Sequence, residues 1–170
     1  MYPALDIAQA FWEKATQKGV PLTAMRLHRL LYLSQLHHHV RDRGRLIQDD
    51  PKAWEWGPLY DRVWRRHVES GAAPFPPSLS FSANRVDPST TAFVEEIWEA
   101  YLNKSAVELA SMVNVPDGPW AQTRAAYAAF EKPPISDALV QAYARLLKNR
   151  MAQKAAIRQG RSPSLSVVEP

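Results

Sequence analysis

The chain has 170 residues, of which 46% are hydrophobic and 22% charged, and it contains six Trp, six Tyr and five Phe. This apolar content is enough for one buried core, so global disorder is excluded and a single domain is expected. There is no cysteine, which removes disulfides, thiolate metal sites and cysteine nucleophiles. No apolar run approaches the roughly 18–20 residues of a membrane helix, and the first residues do not resemble a signal peptide. We therefore expect a soluble protein of the cytoplasm.

The net charge of +4 is unevenly distributed. Residues 1–137 carry 15 Lys and Arg against 16 Asp and Glu, whereas residues 138–170 carry six against the single Glu169. The composition predicts a near-neutral compact domain over 1–157 and a flexible, basic and polar tail over 158–170.

The first predicted elements are two helices. Asp6 is the expected N-cap of the first, and Gly19 ends it. The next stretch follows Thr23 and contains neither Gly nor Pro until Gly44, with leucines on more than one stripe. It is predicted to be the central and most buried helix.

A short extended piece and a turn are predicted next, over residues 46–57. Pro58 suits the first position of a further helix, which Gly71 ends. The proline-rich stretch that follows is predicted to be a loop whose aromatic side chains, Phe75 and Phe81, dock back on the body.

Four helices are predicted in the second half of the chain. Pro88 opens the first, and Ser105 to Glu108 match a capping box for a short second one. Trp120 begins a third that extends to about Phe130, and Ser136 caps the last. The fold class is therefore all-α: a single compact domain of about six to seven helices around a central buried helix, with a minor β-hairpin as a possible addition.

Three consecutive histidines, His37, His38 and His39, raise the question of a metal site, because imidazole is a common transition-metal ligand. Successive helical residues diverge by about 100°, so these three rings cannot converge on one ion unaided. We expect no metal and no cofactor.

A polar and aromatic stripe runs along the central predicted helix, through His28, Tyr32, Gln35 and His39. Its spacing of four, three and four residues places these side chains on one face. A buried hydrogen-bond network is the favoured interpretation, and contact with a partner is the alternative.

Trp54, Trp56 and Tyr60 surround a Gly-Pro turn. Aromatic side chains on a rigid turn make good binding anchors, although many such residues are simply core. Because two tryptophans at a spacing of two are not both expected to point inward, one of them is the leading anchor candidate.

Catalytic signatures are missing from the chain. It has no nucleophile elbow, no glycine-rich phosphate loop, no HExxH motif and no carboxylate pair with matched spacing. The basic last helix allows phosphate contact, but a solvated helix face explains it equally simply, so nucleic acid is not expected as a partner. We expect no enzymatic activity.

Three blocks of the sequence resemble the Panacea domain. Residues 22–35, LTAMRLHRLLYLSQ, match a family pattern of Leu-Thr, then Leu-x-Lys-Leu-Leu-Tyr, then Gln. Residues 46–47 and 53–59 stand where the family has Leu-Phe and Ala-Trp-x-x-Gly-Pro-Val. The third block comprises Ser-x-x-x-Leu over 105–109 and a downstream Pro-Trp at 119–120.

The chain departs from the family pattern at three places. Arg29 replaces the usual Lys, Leu59 the usual Val, and Val113-Asn114 a frequent Thr-His pair.

The resemblance implies an antitoxin, encoded in bacteria or phages, that neutralises a toxin by direct protein–protein binding. The toxin is usually encoded beside it, and the SocA-like branch of the family is similar to a protease adaptor. The predicted partner-binding residues are Tyr32, Gln35, Trp54, Trp56, Gly57, Pro58, Tyr60 and Trp120. Delivery of the toxin to a protease and regulation through nucleic-acid binding are alternatives, and homodimerisation is left open.

Overall fold

The computed structural model describes residues 1–81 and 83–159. In these residues the prediction of a mostly helical fold is confirmed: there are seven α-helices and one two-stranded antiparallel hairpin. The helices are α1 (Ala4–Lys18), α2 (Ala24–Val40), α3 (Asp61–His67), α4 (Pro88–Tyr101), α5 (Ala106–Val113), α6 (Pro119–Ala125) and α7 (Asp137–Arg158). The strands are β1 (Lys52–Trp54) and β2 (Gly57–Leu59), and a 3-10 turn, Val68–Ser70, follows α3. Most of the predicted tail, residues 160–170, lies outside the described residues.

Helix α2 is the centre of the fold, as predicted. Most of its residues are buried, and it packs against α1, α4, α5, α7 and β2. Thr23 caps it by accepting a hydrogen bond from the Arg26 amide. The helix ends at Val40, earlier than Gly44, because the chain turns through positive φ at Asp42 and Gly44. Among the described helices, none combines the length and the apolar composition needed to cross a membrane.

The start of α1 differs from its prediction. The helix begins at Ala4, whose amide donates to Oδ2 of Asp49 at 2.7 Å. Asp6 lies inside the helix, and its carboxylate accepts a hydrogen bond from the Asn84 amide at 3.0 Å. The predicted role of Asp6 as N-cap is therefore wrong, because a long-range contact uses its oxygen. The docking of Phe75 and Phe81 on the body is confirmed, since both are buried.

The hairpin corrects the predicted start of the third helix. Pro58 lies in β2 opposite Ala53, and α3 begins only at Asp61. The outer edge of β1 is covered, because the Ala53 amide donates to the Pro133 carbonyl at 2.8 Å. The Ile135 amide likewise donates to the Pro51 carbonyl at 2.7 Å. The residues just before α7 thus pair with the edge of β1 that β2 leaves free.

Helix α6 is shorter than predicted. It ends at Ala125, because the Arg124 guanidinium turns back to the carbonyls of Glu131 and Ala129, at 2.7 and 2.8 Å. The chain from 126 to 131 is therefore a pinned loop, and its Phe130 is 84% exposed. The predicted caps of α5 and α7, Ser105 and Ser136, are confirmed.

Candidate partner-binding site

Gln35 joins three separate parts of the chain. Its Oε1 accepts hydrogen bonds from the amides of Leu46 and Ile47, at 3.0 and 2.8 Å. Its Nε2 donates to Oδ1 of Asp137 at 2.7 Å. This buried amide thus fixes the segment after α2 and the first residue of α7 to the central helix.

His39 lies one turn further along α2 and shares the same carboxylate. Its Nε2 is 2.8 Å from Oδ1 of Asp137. The same Nε2 also lies 2.8 Å from the Nε2 atom of Gln35, so it faces both an acceptor and a donor. The Nδ1 atom is buried and has no hydrogen-bond partner among the described residues. The guanidinium of Arg45, 3.8 Å from the same oxygen, completes the cluster.

His28 and His67 form a second buried pair. Nδ1 of His28 accepts the backbone N–H of Tyr60 at 3.2 Å, so its proton is on Nε2 and is donated to Nε2 of His67 at 3.1 Å. Burial, together with the smaller effects of the neighbouring His67 and Arg29, lowers the pKa of His28 to about 3. The pair is therefore neutral, and it ties α3 to α2.

Arg29 is a buried cation without a carboxylate partner among the described residues. It is 4% exposed. Its guanidinium donates to the carbonyl of Met25 at 2.8 Å and to that of Trp56 at 2.9 Å. Burial lowers the pKa of this guanidinium. Since arginine stays charged in proteins, the two carbonyl dipoles compensate part of its lost hydration.

The Trp56 carbonyl that Arg29 holds belongs to the hairpin turn. Residues 55 and 56 form the turn, and Gly57 follows with φ +125°, a conformation that L side chains rarely adopt. A Cβ at Gly57 would lie 3.1 Å from Oδ1 of Asn114. Arg29 and Asn114 thus pack against the backbone of the turn, whereas the Trp56 indole is 66% exposed.

Trp54 and Trp120 support the other side of the hairpin. The Trp120 indole Nε1 donates to the Trp54 carbonyl at 2.8 Å. The Trp54 ring packs on Trp64 with 5.7 Å between centroids, and Nζ of Lys132 lies 3.8 Å from its centroid, a cation–π contact. Both tryptophans are half-buried.

The structure brings the predicted site residues together but differs in how it exposes them. Five of the eight are buried, namely Tyr32, Gln35, Gly57, Pro58 and Tyr60. Trp54 and Trp120 are half-buried, and Trp56 alone among the eight is exposed. The three tryptophans are therefore the members of this set that solvent reaches, and the other five belong to the buried part of the protein.

Sequence reasoning missed three residues that matter here. The sequence marks Arg29 only as a departure from the family pattern, and it does not single out Asp137. Phe130 was placed at the end of a helix. The signal for Arg29 was available: a cation in the middle of an apolar, central helix must find acceptors. No sequence pattern near Asp137 or Phe130 predicts the contacts of Asp137 with α2 or the exposure of Phe130.

The three adjacent histidines turn to three different groups, as their helical spacing predicts. Nε2 of His37 contacts the Tyr101 hydroxyl at 2.6 Å, and Nδ1 of His38 contacts the Gly44 carbonyl at 2.9 Å. His39 meets Asp137. In the described part of the chain, no three or more His, Asp or Glu side chains gather where they would hold a metal ion.

Comparison of the chain with protein-family models, with curated proteins and with solved structures gives no match.

Proposed function

We propose that this chain is a Panacea-type antitoxin that binds its cognate toxin directly, with Trp56 as the central anchor. One observation carries the proposal: residues of the three resembling blocks are joined by side-chain to backbone hydrogen bonds, and one of these bonds holds the turn that carries the single exposed indole of the described residues. Gln35, Arg29 and Trp120 all donate to or accept from backbone of another block. We take the residues of the shared pattern as a buried scaffold that supports the turn on which Trp56 is exposed.

Rigidity favours Trp56 as an anchor. Binding costs free energy when mobile side chains and loops are ordered, and a turn held by Arg29 and Gly57 has already lost that freedom. Tryptophan is also among the residues most often found to dominate binding energy at protein interfaces. A rigid, exposed indole therefore suits recognition of a protein surface with an apolar pocket.

Aromatic residues beside the hairpin extend the proposed surface. Arg124 holds the loop that carries Tyr127 and Phe130, and the same guanidinium reaches the Ala53 carbonyl of β1 at 3.5 Å. Both aromatic rings are exposed. Lys132, stacked on Trp54, adds a positive charge. The surface fits a partner whose apolar pocket is flanked by acidic residues.

The arrangement of titratable groups favours binding over catalysis. The His28–His67 pair and the Gln35–His39–Asp137 cluster are used to connect elements. Two grooves of the described chain, between α1 and α4 and between α2, α5 and α7, are lined by other residues. We therefore propose a binding protein of the cytoplasm without catalytic residues.

The two alternatives have less support. The adaptor hypothesis depends on residues 158–170, most of which lie outside the described residues. The nucleic-acid hypothesis depends on the basic last helix, where Lys148 pairs with Asp42, and Arg150 pairs with Asp117 at 3.1 Å. These two ion pairs reduce the positive charge that the helix offers to phosphates, although Lys154 and Arg158 form no ion pair among the described residues.

The proposal is tested by co-expressing the chain with the product of the neighbouring reading frame. Growth and co-purification are scored together. Growth rescue with a stable complex is the expected result. Rescue without a complex, accompanied by loss of the toxin from the cell, would replace direct neutralisation with the adaptor function. Absence of both would remove the antitoxin proposal for that pair.

A further inference from the structure

A second surface, distant in sequence from the hairpin, is an apolar groove between α2, α5 and α7. Its volume is about 670 Å³. Leu36 and Val40 contribute from α2, Val107 and Met112 from α5, and Leu147 and Met151 from α7. The side chain of Val107 is 75% exposed and that of Met151 is 63% exposed. Apolar side chains exposed together in a groove are typical of an interaction site.

Helix α7 extends this groove beyond the body of the protein. Its first turns pack on α2, but from Lys148 to Gln159 every residue except Ala156 is exposed. Ile157, in the last turn, is 62% exposed. The projecting turns therefore offer one wall of the groove without an opposite wall from the described chain.

Charge changes along this face of α7. At 3.6 residues per turn, Lys154 and Arg158 continue the stripe that Leu147 and Met151 begin. Neither cation forms an ion pair within residues 1–81 and 83–159. No acidic residue occurs between 138 and 158. The apolar groove is therefore continued on α7 by the shelf, the exposed stretch that carries the unpaired cations Lys154 and Arg158.

The acidic residue at the groove rim does not neutralise this shelf. Glu108 lines the groove, but its carboxylate accepts the Ser105 amide at 2.8 Å and pairs with Lys104 at 3.0 Å. These contacts hold its pKa below the usual range and commit it to the capping box of α5.

From these observations we infer that the groove binds an amphipathic helix of a partner protein, with apolar residues on one ridge and acidic residues at the end that faces Lys154 and Arg158. In helix-in-groove recognition the bound helix contributes anchors at i, i+3 or i+4, and i+7, and such a ridge can pack along the stripe of Leu147 and Met151 that lines the groove. This surface is separate from Trp56, so the inference stands whether or not the partner is a toxin.

Charge argues against a second copy of this chain as the occupant. Two α7 helices packed in parallel along the same stripe would place Lys154 and Arg158 near their counterparts, and an antiparallel pair would offer these cations no acidic residue of α7, because none occurs between 138 and 158. An acidic helix removes that repulsion.

The test uses three synthetic helical peptides with the same leucine ridge and with Glu, Gln or Lys at the flanking positions. Each is labelled, and its affinity for the full chain is measured by fluorescence anisotropy. The Glu peptide is expected to bind most tightly and the Lys peptide most weakly. Added salt should reduce the difference, because the pairs are exposed.

Two variants separate the apolar from the charged contribution. Met151→Asp should weaken the Glu peptide about tenfold or more, because it places a charge in the apolar stripe. The double variant Lys154→Glu/Arg158→Glu should reverse the order of the Glu and Lys peptides. Arg65→Glu/Arg66→Glu, two exposed cations on α3, is the matched control and should leave the order unchanged.

Three results would overturn the inference. One is the absence of saturable binding by any of the peptides. Another is an order of affinities that the charge reversal at 154 and 158 does not alter. The third is a concentration-dependent dimer of the unmodified chain that Met151→Asp abolishes, which would make a second copy the occupant. Circular dichroism and thermal unfolding of each variant establish that it is folded, as expected for changes at exposed positions.

Discussion

The guanidinium of Arg29, buried in α2, donates a hydrogen bond of 2.9 Å to the backbone carbonyl of Trp56, whose side chain is exposed. A buried side chain therefore fixes the backbone of Trp56, the one residue classed as exposed among the eight predicted partner-binding residues. Arg29 also donates to the Met25 carbonyl, so its direction is set at both ends of the guanidinium. This coupling makes the Trp56 turn part of the folded core and not a free loop.

Gly57→Ala is expected to weaken both the fold and partner binding. The substitution forces an L side chain into φ +125° and brings a Cβ to 3.1 Å from Oδ1 of Asn114. We expect a loss of about 1–3 kcal/mol in the free energy of unfolding, measured by denaturant titration. Gly44→Ala is the matched control: φ is +75° there, but no atom lies within 4 Å of the added Cβ. It should cost about 1 kcal/mol and leave partner binding unchanged.

Gln35→Glu tests the amide that joins α2 to Asp137. The new carboxylate keeps an acceptor for the Leu46 and Ile47 amides but places an oxygen opposite Oδ1 of Asp137, where an N–H now donates at 2.7 Å. We expect a loss of about 2–4 kcal/mol in unfolding free energy, from an unmet acceptor and like-charge repulsion in a buried site.

Asp137→Asn in the Gln35→Glu background should recover most of that loss, because the asparagine amide donates to the new carboxylate. Asp137→Asn alone should cost about 1 kcal/mol or less, because the asparagine Oδ1 can still accept from Nε2 of Gln35. Strict additivity of the two substitutions in denaturant titration would rule out the proposed hydrogen bond.

Stability should fall as the pH drops from about 6.5 towards 5. The pKa of His28 is about 3 in the folded chain, against an ordinary value of 6.5 for histidine. In this window the unfolded chain therefore takes up a proton that the folded chain refuses, at up to about 1.4 kcal/mol per pH unit for one histidine. Burial lowers the pKa of His67 as well, which adds to the same slope.

His28→Asn should flatten that pH dependence, because asparagine can still accept the Tyr60 amide but does not titrate. The measurement is the unfolding free energy at several values between pH 5 and pH 7, above the range in which the carboxylates Glu95 and Glu96, whose pKa values are lowered by Lys14 and Arg41, become protonated. An unchanged slope in the variant would assign the pH dependence to other groups.

Local signals predicted much of the fold. Thr23, Ser105 and Ser136 cap the helices that their patterns indicate, because capping depends on residues within one turn. The predictions that failed involve contacts distant in sequence. The Asp6 carboxylate accepts a hydrogen bond from the backbone amide of Asn84 and does not cap its own helix. Arg124 ends α6 by donating to backbone carbonyls of the following loop.

The candidate site was predicted as a set of residues but not as an arrangement. Spacing alone places His28, Tyr32, Gln35 and His39 on one face of a helix, but it does not show whether that face is buried. The answer depends on α7 and on residues 46–47, which supply Asp137 and two amides. Similarly, the sequence leaves Trp54 and Trp56 equivalent, and only the register of the hairpin separates the half-buried from the exposed indole.

The most direct test of the account is the affinity of the purified partner for Trp56→Ala, compared with the unmodified chain and with Val68→Ala, an exposed apolar control near the end of α3. Isothermal titration calorimetry gives the affinities, and thermal unfolding establishes that each variant is folded. The account predicts that Trp56→Ala keeps its stability within about 0.5 kcal/mol and loses about 2–4 kcal/mol of binding free energy, while Val68→Ala binds normally. A folded Trp56→Ala variant that binds and neutralises the partner as well as the unmodified chain would contradict it.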